Sequence, residues 1–300
     1  MKRRQVVLAG SAALAGLMTS QVVPRRLLAA EALPKVPRGR DPGGLKVGFI
    51  GAGINYTLPA IAQRLARDGE GEIIGFDFET GDLRPFERPA GAGGTLFASV
   101  ILGEAGASTL IAVRPYPGQP TTLAAAIAML MQTPARIAAL DAAGTNIAEF
   151  APFKEASSKA RDLLIIVAAG SGETGADIDV TPSYPAAFGL PNVLVVTGTD
   201  PNGRLLEDSS WGRASVDVAL PAVDLEATDF TGADARVSGQ RYAVARATAM
   251  AARLKAVHPN LVGAGLKAKI LEFATPNPAT PAPVTKTGWI ANPKRIAWLE

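Results

Sequence analysis

The sequence predicts a three-layer α/β domain, with a mostly parallel central sheet and helices on both faces. Three observations predict it. Strand-length apolar runs alternate with helix-length segments, the pattern of a parallel sheet covered on both sides. The chain has 300 residues, a length that α/β folds accommodate as one domain. Its hydrophobic content of 48% is ample for a core of that size.

The elements follow in order. Lys46 to Ile50 is an apolar strand that runs into a glycine turn at Gly51, and Pro59 to Arg67 reads as a helix opened by proline. Strands are expected at Glu72 to Phe78, Thr109 to Arg114, Arg136 to Leu140, Leu163 to Ala168 and Val193 to Thr197. Helices are expected at Gly94 to Leu102, Thr121 to Met131, Ile147 to Arg161, Arg241 to Lys255 and Gly265 to Phe273. Thr275 to Pro283, TPNPATPAP, lacks the periodicity of regular structure and reads as an extended spacer. Beyond it, Gly288 to Glu300 carries Trp289, Ile290, Ile296, Trp298 and Leu299, the composition of a tail that docks on its parent domain or on a partner.

Residues 1–32 read as a signal peptide: a basic MKRR start, an apolar run from Val6 to Met18, and Ala30-Glu31-Ala32 as the cleavage site. The run is too short and too rich in alanine and glycine to span a bilayer. Arg3-Arg4 followed by Gln5, Val6, Val7 and Leu8 resembles a twin-arginine signal; the alternative is a general secretory signal that starts KRR. The expected destination is the periplasm or the medium. Lys2, Arg3, Arg4, Arg25 and Arg26, against Glu31, account for the basic balance, and without the leader the net charge passes from +3 to −1. No basic stripe remains, so nucleic acid is not an expected partner. Residues 33–44 form a short Pro/Gly-rich linker with no room for a folded propeptide.

Four segments carry a resemblance, spread in order over residues 45–274. Val47 to Asn55, VGFIGAGIN, is a strand running into a tight turn. Gly91 to Leu102, GAGGTLFASVIL, opens a buried helix. Leu163 to Gly172, LLIIVAAGSG, is a strand ending in a glycine turn, and Ser238 to Ala251, SGQRYAVARATAMA, opens a second helix. Tyr184-Pro185-Ala186, Ser209-Ser210-Trp211-Gly212 and Val216 to Pro221 lie between the last two. Together these are similar to the subtilisin-like serine proteases, the subtilases. The resemblance implies the subtilisin-like fold, and it puts Gly51 at the aspartate position, Gly93 at the histidine, Ser171 at the oxyanion asparagine and Arg241 at the nucleophilic serine. It thus implies a protease scaffold without the reactive groups.

A serine hydroxyl attacks a carbonyl only when a base takes its proton, and a carboxylate must hold that base in the right tautomer. His258, in KAVHPN, is the only histidine and lies far along the chain from all four positions. With no cysteine there is no Cys–His substitute. A residual or atypical serine endopeptidase therefore needs a base that the sequence does not supply, although a Ser–Lys arrangement stays formally open. No His, Cys and carboxylate cluster has metal-ligand spacing, and no cofactor is implied.

A nucleotide-binding reading competes for the same glycines. Strand Val47 to Ile50, Gly51-Ala52-Gly53, and Asp77 at the end of a second strand imitate a dinucleotide-binding unit. Tyr56 stands where the third glycine belongs and Pro59 interrupts the helix, which weakens it. GSGETG at Gly170 to Gly175 lacks the lysine of a phosphate loop. The favoured expectation is an exported, inactive protease-like protein that holds a peptide or an exported protein partner without cutting it. Arg241, Ala142, Gly144 and Ser171 are the candidate binding residues. Pro134 to Gly144, PARIAALDAAG, lies where the family's substrate-flanking strand belongs, but Ala142-Ala143-Gly144 departs from its Ser-Leu-Gly.

Overall fold

A computed structural model describes residues 33–88, 92–170, 175–280 and 282–294. The leader, Ser171 and residues 295–300, with Trp298 and Glu300, lie outside them.

Seven parallel strands form one sheet in the order β2-β3-β1-β4-β5-β6-β7. They are β1 (Lys46–Ile50), β2 (Gly75–Asp77), β3 (Thr109–Arg114), β4 (Ile137–Leu140), β5 (Leu164–Ala168), β6 (Val193–Thr199) and β7 (Val218–Pro221). The helices are α1 (Pro59–Ala62), α2 (Gly94–Glu104), α3 (Thr121–Met131), α4 (Ile147–Lys159), α5 (Gln240–Val257) and α6 (Gly263–Leu271). Because strand side chains alternate, neighbouring residues feed opposite cores. Phe49, Ala139 and Ile166 pack with Phe97 of α2, Val244 of α5 and Leu266 of α6. Ile50, Leu140 and Ile165 pack with Ile127 of α3 and Phe153 of α4 on the other face. This is the predicted three-layer fold.

The prediction misses in four places, one being β7 (Val218–Pro221), which the expected strands do not include. The first helix stops at Ala62 instead of Arg67. Leu110 N–H donates to Arg64 O at 2.8 Å and Ala66 N–H to Leu110 O at 2.9 Å, so residues 64–66 extend the sheet beside β3 rather than close a further turn. Tertiary pairing overrides local helix preference there. The strand expected from Glu72 starts only at Gly75, since the residues before it pair with the 66–68 segment instead: Asp68 N–H donates to Glu72 O at 2.9 Å and Ile74 N–H to Ala66 O at 2.8 Å. The short hairpin β8 (Leu225–Thr228) and β9 (Asp234–Val237) gave no strand signal; its exposed positions hold Glu226, Asp234 and Arg236.

Beyond α6 the chain returns to the sheet. Lys286 N–H donates to Val216 O, Thr287 N–H to Asp217 O and Ile290 N–H to Ala219 O at 2.8, 3.1 and 2.9 Å, which covers the outer edge of β7. Trp289 and Ile290 are buried, and Trp289 Nε1 donates to Thr199 Oγ1 at 3.1 Å. Of the two expected docking places for the tail, residues 286–290 take the parent domain. Thr199→Val leaves that indole N–H without an acceptor, and chemical denaturation is expected to show a loss of about 1 kcal/mol. An unchanged midpoint would mean the bond adds nothing to the docking.

Candidate functional site

The ends of β1 and β4 and the starts of α2 and α5 meet at one place. Gly51 continues β1 by donating its N–H to Val113 O at 3.1 Å. A Cβ at residue 51 would stand 2.5 and 2.7 Å from the ring atoms Cζ and Cε2 of Phe49, and 3.2 Å from Asp141 Cβ. The Phe49 ring is held there by stacking on Phe97, centroids 5.1 Å apart, with both residues fully buried. The room that a side chain at position 51 requires is filled.

Gly93 precedes α2 with φ 84°, a left-handed conformation that side chains resist. A Cβ there would meet Arg241 Nη1 at 2.7 Å. The free N–H groups at this helix start are taken by Glu87, a buried carboxylate. Gly93 N–H donates to Glu87 Oε1 and Thr95 N–H to Oε2, both at 2.7 Å, and the Thr95 hydroxyl also donates to Oε2. A carboxylate suits the positive end of a helix. Sequence reasoning missed Glu87, because it lies six residues before Gly93 and outside the helix that it caps.

The start of α5 is fixed by Asp208, whose Oδ2 accepts the Gln240 N–H at 3.0 Å. Gln240 Nε2 donates to Gly170 O at 2.9 Å, tying α5 to the loop after β5. Arg241 reaches across to the end of β4 and pairs through Nη2 with Asp141 Oδ2. Its Cζ lies 5.8 Å from the Phe97 ring centroid and 5.6 Å from that of Tyr242, within cation–π range. Burial pushes the Asp141 carboxyl above its ordinary range, against the pull of Arg241 and with Glu87 adding to the rise. Burial works against the Arg241 charge too, but Asp141 outweighs it and holds the guanidinium above its usual value.

Of the expected binding residues, Arg241 and Ala142 line a cavity of about 290 Å³ together with Asp141, Gly170 and Asp208. Ala142 and Asp141 also border a second cavity of about 440 Å³, walled by Gly51, Tyr116, Leu123 and Phe150. Gly144 is engaged elsewhere: its N–H donates to Tyr184 O at 2.9 Å and its carbonyl accepts from Tyr184 N–H at 2.7 Å. The rim Pro115 to Pro120, PYPGQP, has three prolines and hence three positions without a backbone donor. His258 follows α5 at its far end, about 25 Å along the helix axis from Arg241. No group of three or more His, Cys, Asp or Glu able to hold a metal occurs among the described residues.

The nucleotide reading is overturned at its acidic residue. Asp77 is fully buried and its carboxylate accepts from Arg114 Nη1 at 3.1 and 3.2 Å, Arg88 Nη2 at 3.1 Å and Glu79 N–H at 2.8 Å. Nothing of it is left for a ribose. The start of α2 also approaches the glycine turn closely, since a Cβ on Gly94 would stand 1.9 Å from Gly53 O.

The model of the subtilase family matches residues 43–289. No curated protein matches the chain. Among solved structures, a cold-adapted subtilisin-like serine proteinase is 18% identical, with a TM-score of 0.68, over 86% of this chain and 93% of that one. A lanthipeptide protease is 14% identical with a TM-score of 0.69, over 84% and 87%. The A-subunit of the AB5 toxin from E. coli is 19% identical with a TM-score of 0.66, over 87% and 94%.

Proposed function

We propose that this chain, which belongs to the subtilase family, is a catalytically inactive member that binds a peptide or an exported protein partner without cleaving it. The observation that carries the reading is the Arg241–Asp141 pair in the place where the family resemblance puts the nucleophile. Arginine stays protonated and offers no lone pair to a carbonyl. The space at position 51 holds the Phe49 ring, and the space beside Gly93 holds the Arg241 guanidinium. Gly93 and Arg241 thus pack against each other, and Gly51 packs against Phe49. Two cavities remain beside them, and among the described residues neither Ala142 nor Ala143 N–H has a backbone partner. An extended peptide can add to such donors as a strand, with pockets for alternate side chains.

The purified protein is expected to hydrolyse neither casein nor peptide anilides above buffer, and Arg241→Ser is expected to stay inactive because an unassisted serine has no base. Peptides should co-purify intact with the exported protein. Turnover that survives extensive purification would overturn the reading.

Export belongs to the same proposal. The signal-like leader supports a periplasmic or secreted site, and among the described residues no helix is long and apolar enough to cross a membrane. Changing Arg3 and Arg4 to lysine is expected to leave the precursor in the cytoplasm. Normal export of that variant would refute the twin-arginine route.

A further inference from the structure

An ion pair across a cleft has to open before an extended chain can run through, and the two partners here are not equally free to leave. The Asp141 side chain is 13% exposed, on a short stem at the end of a central strand whose N–H is bonded to Ile50 O at 2.9 Å. It cannot follow a departing partner, and an unpaired carboxylate in that place is costly. Arg241 is 36% exposed, on a long stem at a helix start, and it rests over two aromatic rings that remain when the ion pair opens. It can swing toward solvent and keep part of its contacts.

That asymmetry decides what kind of group can exchange into the pair. A ligand anion that captured Arg241 would strand Asp141. A ligand cation that replaced Arg241 would leave Asp141 paired and release the partner that solvent already reaches. The surroundings favour the second exchange, since the 290 Å³ cavity is bordered by Asp208 as well as Asp141, and Glu87 adds negative charge nearby. With Arg241 turned away, both charged side chains on its wall are carboxylates.

We propose that the Asp141 carboxylate is the seat for a cationic side chain of the bound peptide, lysine or arginine, and that Arg241 is a tethered guanidinium that occupies this seat until the peptide arrives. The inference rests on the peptide-binding reading of the same cleft. Because Arg241 is attached to the fold, it competes at high effective concentration, so only a cation carried by a peptide with further contacts displaces it.

Two measurements test this. The first compares, by calorimetry on the wild-type protein, peptide amides that differ only in arginine or the isosteric, uncharged citrulline. Arginine is expected to bind about tenfold tighter or more, as for a charge-assisted hydrogen bond, and Asp141→Asn is expected to abolish the difference. Equal affinity, or a preference for an acidic peptide, overturns the cation seat while leaving peptide binding intact. The second measurement does not depend on peptide binding. In Arg241→Ala the seat is vacated, and methylguanidinium at tens of millimolar is expected to raise the melting temperature by about 2 °C. Wild type and Arg241→Ala/Asp141→Asn should not respond. Arg241→Gln, which keeps a polar side chain, serves if the alanine variant does not fold. Absence of the shift in a folded variant overturns the inference, whatever becomes of peptide binding.

Discussion

Gly51→Asp is expected to lower folding stability by about 3–5 kcal/mol, the scale for a buried charge without a partner. Two effects combine. The new Cβ would enter the ring of Phe49, which cannot swing aside because it is fully buried and stacked on Phe97. The new carboxylate would also open beside Asp141, whose single strong cation is already engaged. Gly51→Ala separates the two, since it brings the overlap without the charge and should cost about 1–3 kcal/mol. Urea denaturation of both variants reads the difference. If Gly51→Asp denatures with the wild type, position 51 has room for an aspartate and the Phe49 ring does not fill it.

Arg241→Ala is the second large effect, and it depends on pH in a direction that can be worked out. Removing the guanidinium leaves Asp141 under the influence of Glu87 and without its hydrogen-bond partner. The expected loss at neutral pH is about 1–3 kcal/mol, at the lower end of buried ion-pair deletions because Arg241 itself reaches solvent. In the wild type the Asp141 carboxyl already lies above its ordinary range, and without Arg241 it rises further. A folded-state value above the unfolded one means that the unfolded chain gives up this proton first. The variant is therefore least impaired in acid, below the unfolded carboxylate range, and loses stability as pH rises through the raised folded-state value. A deficit that is constant between pH 4 and 8 would mean that Asp141 does not carry the charge assigned to it.

Much of the fold was legible in the sequence where burial alone decides structure. β1, β3 and α3 have the predicted bounds because each is an apolar run stopped by glycine, proline or a charged residue. Arg64 to Arg67 was not legible, since its backbone goes to β3, a neighbour more than forty residues away. The resemblance singles out Gly51, Gly93, Ser171 and Arg241 from the segments around them, and the three that are described can be compared with it. Their consequences were not legible. Asp141 lies a hundred residues from Arg241 at the end of an alanine-rich strand, and nothing local marks it as a partner. Glu87 caps a helix from outside it, and the Phe49 ring reaches the place of a position 51 side chain from two residues back on the same strand face. The anion that a guanidinium in this place needs is thus supplied by the protein itself, and the proposed cation seat follows from that pairing.

The central claim is that this cleft contains no activated nucleophile, and labelling with a fluorophosphonate probe followed by mass spectrometry tests it most directly. Such probes react with a serine only when a base has prepared it. The purified wild-type protein is expected to remain unlabelled at concentrations and times that saturate an active subtilase run in parallel. Stoichiometric labelling of one serine, lost when that serine is changed to alanine, would contradict the account.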